Sequence, residues 1–170
     1  MHELFYGCLF CKSGTEHSTA SYINQAIDAM EAMVPWRIRK KTVARLHVVD
    51  LVPMLPGYVF FRCESPNAVR RLLDVRNVFR ILEYSDRTWS LIGSDRKFAE
   101  LVFEGHLLQN PNVCFIDNKL HFEDGFLFGH DDAVLRVNRR KRMAEIRLGI
   151  DQLKFWIGYN ERSEERTKII

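Results

Sequence analysis

Leu55-Pro56-Gly57-Tyr58-Val59-Phe60-Phe61, entered through Leu51-Val52-Pro53-Met54, is the stretch from which the rest of the chain can be read. Pro56 has no amide hydrogen and Gly57 reaches dihedrals closed to other residues, so the turn falls on this pair and a strand begins at Tyr58. Tyr58 to Phe61 is wholly aromatic or β-branched, the composition of a strand buried on at least one face. Residues 51–54 read as an irregular, proline-broken lead-in. Two readings are open: a central core strand throughout, or a strand whose Tyr58–Phe60 face grips a partner.

The neighbouring sequence supplies the frame. Leu4 to Phe10 reads as a first strand, and Ser13-Gly14-Thr15-Glu16 has the capping-box spacing of a hydroxyl three residues before a glutamate. A helix is expected from there to about Met33, with Ala20, Ile23, Ile27, Met30 and Val34 as its apolar stripe and Pro35 as its end. Trp36-Arg37-Ile38-Arg39 alternates like a strand, placing Arg37 and Arg39 on one face and Trp36 and Ile38 on the other. Val43 to Val49 is a short strand or loop edge. Ser65-Pro66-Asn67 opens a second helix carrying Ala68, Val69, Leu72 and Leu73 inward and Arg70 and Arg71 outward. Val78 to Leu82 is another strand, and residues 94–104 form a third helix with Phe98, Leu101 and Val102 on its apolar side. Intermixed strands and helices without a long parallel series predict an α+β domain with a largely antiparallel sheet flanked by helices.

From Gly105 to Asn112 the periodicity fails, and Pro111 and paired Asn residues appear. The first domain is therefore assigned residues 1–108 and a linker residues 109–120. Only short strands follow. Ala133, Leu135 and Val137 alternate, as do Ala144, Ile146 and Leu148, and Asn138-Arg139-Arg140-Lys141-Arg142 lies between them as a polar hairpin turn. With a further strand at 152–157, residues 121–160 make a small all-β barrel, and 161–170 a frayed tail.

The 170 residues are 46% apolar and 28% charged, a globular balance. No apolar run approaches the roughly 20 residues needed to span a bilayer, and no basic start or cleavage site marks a signal peptide, so the chain reads as cytoplasmic with no membrane partner. The net charge of +3 is modest, but its arrangement is not even. Arg37, Arg39, Lys40, Lys41 and Arg45 have no acid among them, and neither have Arg136, Arg139, Arg140, Lys141 and Arg142. Such isolated clusters suit phosphate, while the plainer reading of each is a solvated face. Cys8 and Cys11 form a C-x-x-C, but on a strand positions three apart point to opposite faces, and no second ligand pair follows, so buried reduced thiols are expected rather than a metal. No cofactor is expected. No nucleophile triad, phosphate-cradling glycine loop or carboxylate pair stands out, and no enzymatic activity is expected.

Three segments carry a family resemblance. Leu4 to Glu16 is similar to the opening strand and capped helix of NusG-type transcription elongation factors; Leu51 to Phe61 resembles their most specific signature. Asp124-Gly-Phe-Leu-Phe-Gly129 with Ala133 to Ile146 looks like a KOW motif. Together, in the expected order, they cover nearly the whole chain. The resemblance implies an N-terminal NusG domain followed by an SH3-like KOW barrel, and it is greatest to specialised paralogues of the LoaP or RfaH kind. Departures include Phe5-Tyr6-Gly7 in place of the usual Trp-Tyr, Asn77 before Val78, and Asp131-Asp132 after His130.

By position, the resemblance implies that Phe10, Leu55, Tyr58 and Phe60 receive the clamp helices of the RNA polymerase largest subunit, with Val59 and Phe61 facing the core. Arg70 and Arg71 would meet the opposite wall of the polymerase cleft. Arg37, Arg39, Lys40 and Lys41 would lie near upstream DNA or emerging RNA, and Arg139, Arg140, Lys141 and Arg142 would hold RNA. The implied activity is processive antitermination by a monomer that suppresses pausing and termination, with ribosome or termination factors as further partners of the KOW domain. The alternative is a KOW-containing RNA-binding protein associated with translation, against which the Leu-Pro-Gly-Tyr segment and the first helix argue.

Overall fold

The structure, a computed structural model, describes residues 3–105 and 109–162. It divides into two compact units, one running to Gln109 and including Leu148–Leu153, the other running from Asn110 to Arg147 and resuming at Lys154.

In the first unit, β1 (Phe5–Cys11), β2 (Met30–Met33), β5 (Tyr58–Cys63) and β6 (Val78–Ile81) form one antiparallel sheet in the order β2-β5-β1-β6. The expected strand at Tyr58 is thus central, paired with β1 through Leu9↔Val59 and Phe10↔Tyr58. One sheet face buries Leu9, Cys11, Val59 and Phe61 against Ala20 and Ile23 of α1 (Glu16–Ala26) and against Val69, Leu72 and Val75. On the other face Phe60 stacks on Phe98 of α2 (Gly93–Glu104), with centroids 5.3 Å apart. Full burial of such side chains stabilises by about 1.5–3 kcal/mol each. Gly7 has a steric reason: a Cβ there would fall 2.3 Å from the Phe61 ring.

Four expectations are corrected. The first helix stops at Ala26, not near Met33, and Met30–Met33 is a strand. Ala29 sits at φ 59, turning the chain, and the Asn24 side chain bonds both the N–H and the carbonyl of Ala32. Met30, Ala32 and Val34 are buried at a period of two, a pattern that the helical stripe through Ile27, Met30 and Val34 masks. The second helix is a 3-10 helix, Pro66–Asp74, and its buried residues Val69 and Leu72 are followed by Val75 at the spacing of three that this geometry aligns. Residues 51–53 are not irregular. They finish β4 (Leu46–Pro53), which pairs with β3 (Trp36–Val43) through eight register positions, and Ala44 and Arg45, at φ 49 and φ 69, make the turn. Finally, the expected linker holds a hairpin.

That hairpin opens the second unit: β7 (Asn112–Ile116) pairs antiparallel with β8 (Lys119–Phe122) across Asp117 and Asn118, both in the left-handed region. Val113, Leu120 and Phe122 are buried. Then β9 (Val134–Asn138), β10 (Met143–Arg147) and β11 (Lys154–Gly158) form an antiparallel sheet, and β12 (Asn160–Glu161) runs parallel to β7. The fold is thus α+β: an antiparallel sheet with helices, followed by an all-β region. Of the expected tail, Glu161 belongs to β12, while residues 163–170, like 106–108, lie outside the described residues.

Candidate functional site: an aromatic patch and two basic surfaces

The turn at Pro56-Gly57 is held from beneath by Glu16. This buried carboxylate accepts the Gly57 N–H through Oε1 at 2.6 Å and the Gly14 N–H through Oε2 at 2.9 Å. The capping box expected from Ser13 and Glu16 is not formed: the N-cap is Thr15, without a side-chain cap, and Glu16 reaches across to the signature turn instead. Gly57 is required here, since its φ is +88° and a Cβ would lie 2.7 Å from the Phe10 ring.

Above that turn three aromatic rings meet. Phe10 lies 5.1 Å from Tyr58 and 5.7 Å from Phe79, centroid to centroid, and the Arg80 guanidinium stands 6.0 Å over Phe10. Phe10 and Tyr58 are half-buried, and burial raises the Tyr58 pKa. Phe79 is 62% exposed. A shallow cleft of about 500 Å³, lined by Leu73, Phe79, Arg80, Ile81, Glu83 and Tyr84, continues from it. The other two residues of the expected patch are not open. Phe60 is fully buried, because the second sheet face, expected to be free, carries α2 and its Phe98; Leu55, in the turn that precedes β5, is 2% exposed.

Phe79 was not among the expected site residues. The register pairs Phe10 with Arg80 and Cys11 with Val78, so Phe79 is the extra residue of a β-bulge. Bulges re-aim side chains, and this one lets Val78 and Ile81, three apart, both pack on the core while Phe79 turns outward. That spacing of two core residues in a four-residue strand was the available signal. Arg70 and Arg71 are exposed as expected, and Arg71 donates to the Ala26 carbonyl at 2.9 Å.

The β3–β4 ribbon carries the first basic cluster. Arg37, Arg39 and Lys41 share one face, with Ile38 on the other. That face is less cationic than the local sequence suggests. Asp50 lies opposite Arg39 and bonds it at 3.1 Å and Lys41 at 2.5 Å, and these two cations hold its carboxyl below the usual range. The side chain of Lys40 lies outside the described residues. Ile38, Val49 and Leu51 stand exposed on the opposite face.

In the second unit Arg139, Arg140, Lys141 and Arg142 occupy the β9–β10 turn, closed by the Asn138 side chain on the Lys141 N–H at 3.0 Å. Arg139 bonds Glu161 at 2.9 Å; Arg140 and Lys141 are exposed without an ion pair among the described residues. Arg136, next along β9, is matched by Glu145 at 2.6 Å, which holds that carboxyl low. Asp131, where the sequence departs from the resembled family, bonds the His121 ring at 2.7 Å and the Phe122 N–H at 3.0 Å.

Cys8 and Cys11 are both buried, Cys11 in the α1-side core and Cys8 outside it, and burial pushes both thiols up, keeping them protonated and poor ligands. Among the described residues no group of three His, Cys, Asp or Glu side chains is placed to hold a metal. No helix among them is long and apolar enough to cross a membrane.

Residues 6–106 match the family model described as transcription termination factor nusG. The structure described as "Domain interaction in Thermotoga maritima NusG" superposes with a TM-score of 0.53 at 14% identity, covering 91% of this chain and 92% of that one. One described as "Crystal Structure of MjSpt4:Spt5 complex conformation B" gives a TM-score of 0.31 at 13% identity, with 90% and 91% covered. No curated protein matches in sequence.

Proposed function

The chain belongs to the NusG family of transcription factors, a non-enzymatic family, and we propose that it is a processive antitermination factor docking on the clamp helices of RNA polymerase. The observation that carries this reading is the Phe10–Tyr58–Phe79 patch, in which Phe10 touches both other rings and Phe79 projects beside a cleft of mixed polar and apolar lining. Aromatic anchors supply most of the energy where an amphipathic helix meets a groove. Phe60 and Leu55 support the patch from within rather than touching the partner. Arg70, free of the backbone tie that holds Arg71, meets the opposite wall of the polymerase cleft. Docked across that cleft, the protein binds the elongating state better than the paused one, and that difference alone lowers pausing and termination.

Nucleic acid is met by the two basic surfaces, Arg37, Arg39, Lys40 and Lys41 on the ribbon and Arg139 to Arg142 on the β9–β10 turn, through phosphate contacts that fall steeply with salt. The cationic turn and the Val78-Phe79-Arg80-Ile81 strand support placement among the specialised paralogues.

The test is capture of RNA polymerase by the full chain carrying Tyr58→Ala, Phe79→Ala or both, with folding checked by circular dichroism. Each single change weakens binding by about 1–2 kcal/mol and the pair by more. Unchanged capture by a well-folded double variant rejects the patch. Transcription past a terminator, with the protein's own operon leader upstream, reads the activity itself.

A further inference from the structure

At the base of the β9–β10 turn lies a cleft of about 480 Å³, bordered by the β7–β8 turn and by the residues around β12. We propose that this cleft binds one nucleotide of single-stranded RNA, with Arg142 and Arg162 on the phosphate and the Arg139 guanidinium as the platform for the base. The proposal rests on the nucleic-acid reading of the turn and gives it a defined site.

The platform is fixed in place. The Arg139 guanidinium carbon stands 4.0 Å over the Phe115 ring, and Nη2 bonds Glu161 at 2.9 Å, while about half the side chain stays exposed. Phe115 is itself set edge-on to Tyr159, at 6.1 Å. A guanidinium held over a ring offers its outer face for stacking, which is how proteins commonly take unpaired bases.

Arg142 sits at φ 51, in the left-handed region, where an L-residue costs about 1–2 kcal/mol and Gly or Asn would cost less. It has no carboxylate within ion-pair distance among the described residues, so its charge is unspent. Arg162, the other wall, is only 3.9 Å-paired to Glu123 and largely exposed. Beneath them the Tyr159 hydroxyl is buried without a hydrogen-bond partner, among Glu161, Arg139 and Arg142. Tyr159 is not among the residues that line the cleft; its ring backs Phe115 from within.

The acids in the cleft select the ligand. Asp117 and Glu161 line it beside the three arginines and disfavour a bare phosphate or an acidic peptide. They accept hydrogen bonds from a ribose 2′-hydroxyl or a base amino group. A nucleotide offers an anion, a stacking face and a base amino donor together, and a ribonucleotide adds the 2′-hydroxyl.

The experiment is fluorescence anisotropy of the full chain with a labelled single strand of about 12 ribonucleotides, beside the same sequence as DNA, with polyglutamate as competitor, in moderate salt. Arg142→Gly and Arg162→Gln each weaken RNA binding about five- to tenfold, whereas Arg147→Gln and Lys154→Gln, exposed cations of the same unit that do not line the cleft, weaken it less than about twofold. The melting temperature of Arg142→Gly stays equal or rises, since the backbone strain is relieved. DNA binds at least several-fold more weakly than RNA. Equal losses at all four positions overturn the cleft and leave diffuse nucleic-acid binding standing. RNA and DNA bound alike overturn the ribonucleotide assignment, displacement by polyglutamate at lower concentration than by RNA overturns the ligand class, and no RNA binding by the unaltered chain overturns both the cleft and the reading it rests on.

Discussion

The carboxylate of Glu16, at the first residue of α1, accepts the N–H of Gly57 at 2.6 Å across 41 residues of chain. A single buried acid thus ties the start of the first helix to the turn that launches β5 and presents Tyr58. Glu16→Ala leaves two backbone donors without their charged acceptor and lowers stability by about 2–4 kcal/mol in chemical denaturation, with Glu16→Gln intermediate. A midpoint unchanged in Glu16→Ala would show that the clamp carries no weight.

Gly57→Ala meets two penalties at once, a φ of +88° and a Cβ 2.7 Å from Phe10. Stability falls by about 1–3 kcal/mol, and because Phe10 must move, polymerase capture falls further than that loss explains. Capture that follows stability alone would separate the turn from the patch.

Asp50 neutralises Arg39 and Lys41 across the ribbon. Asp50→Asn frees both cations, so affinity for a nucleic-acid duplex rises about three- to tenfold at low salt and its salt dependence steepens. A drop or no change in a salt titration removes the ribbon from the nucleic-acid surface.

Tyr84 donates its hydroxyl to Asp95 at 2.7 Å, and burial first, then that carboxylate, pushes its pKa well above the ordinary value of 10.0. With the folded value raised, the unfolded chain releases the phenolic proton first, so this contribution is whole below pH 10 and is lost as pH rises beyond it. Tyr84→Phe flattens the alkaline limb of the stability–pH curve. Identical limbs for the two proteins would exclude the Tyr84–Asp95 pair as its source.

Much of the frame was legible because local and tertiary preferences agree. Tyr58 to Phe61 has no residue that suits anything but a strand, and the turn at 138–142 separates two clean alternations. Legibility failed where turns use unusual residues: Ala44-Arg45 takes left-handed dihedrals without glycine, so Trp36 to Arg39 reads as a strand while its partner reads as a short strand or loop edge and an irregular lead-in. The same failure at Asp117-Asn118 hid the β7–β8 hairpin inside an expected linker. The patch was half legible. Tyr58 follows from strand alternation and Phe10 from the family resemblance, but what covers Phe60 is Phe98, far along the chain, and no local pattern announces it. Charge was legible as composition and not as field, since Asp50 joins the basic cluster only through register.

The parallel pairing of β12 with β7 has a bearing on synthesis. Asn160 and Glu161 lie against Asn112 and Val113, so one strand of the second unit waits for nearly the whole unit to be made. On the ribosome, the edge of β7 stays unpaired until Glu161 has cleared the exit tunnel, and closure then joins segments distant in sequence, a slow class of contact. The first sheet is under no such delay: each of its four strands precedes Leu82, and it can assemble while the second unit is still being translated.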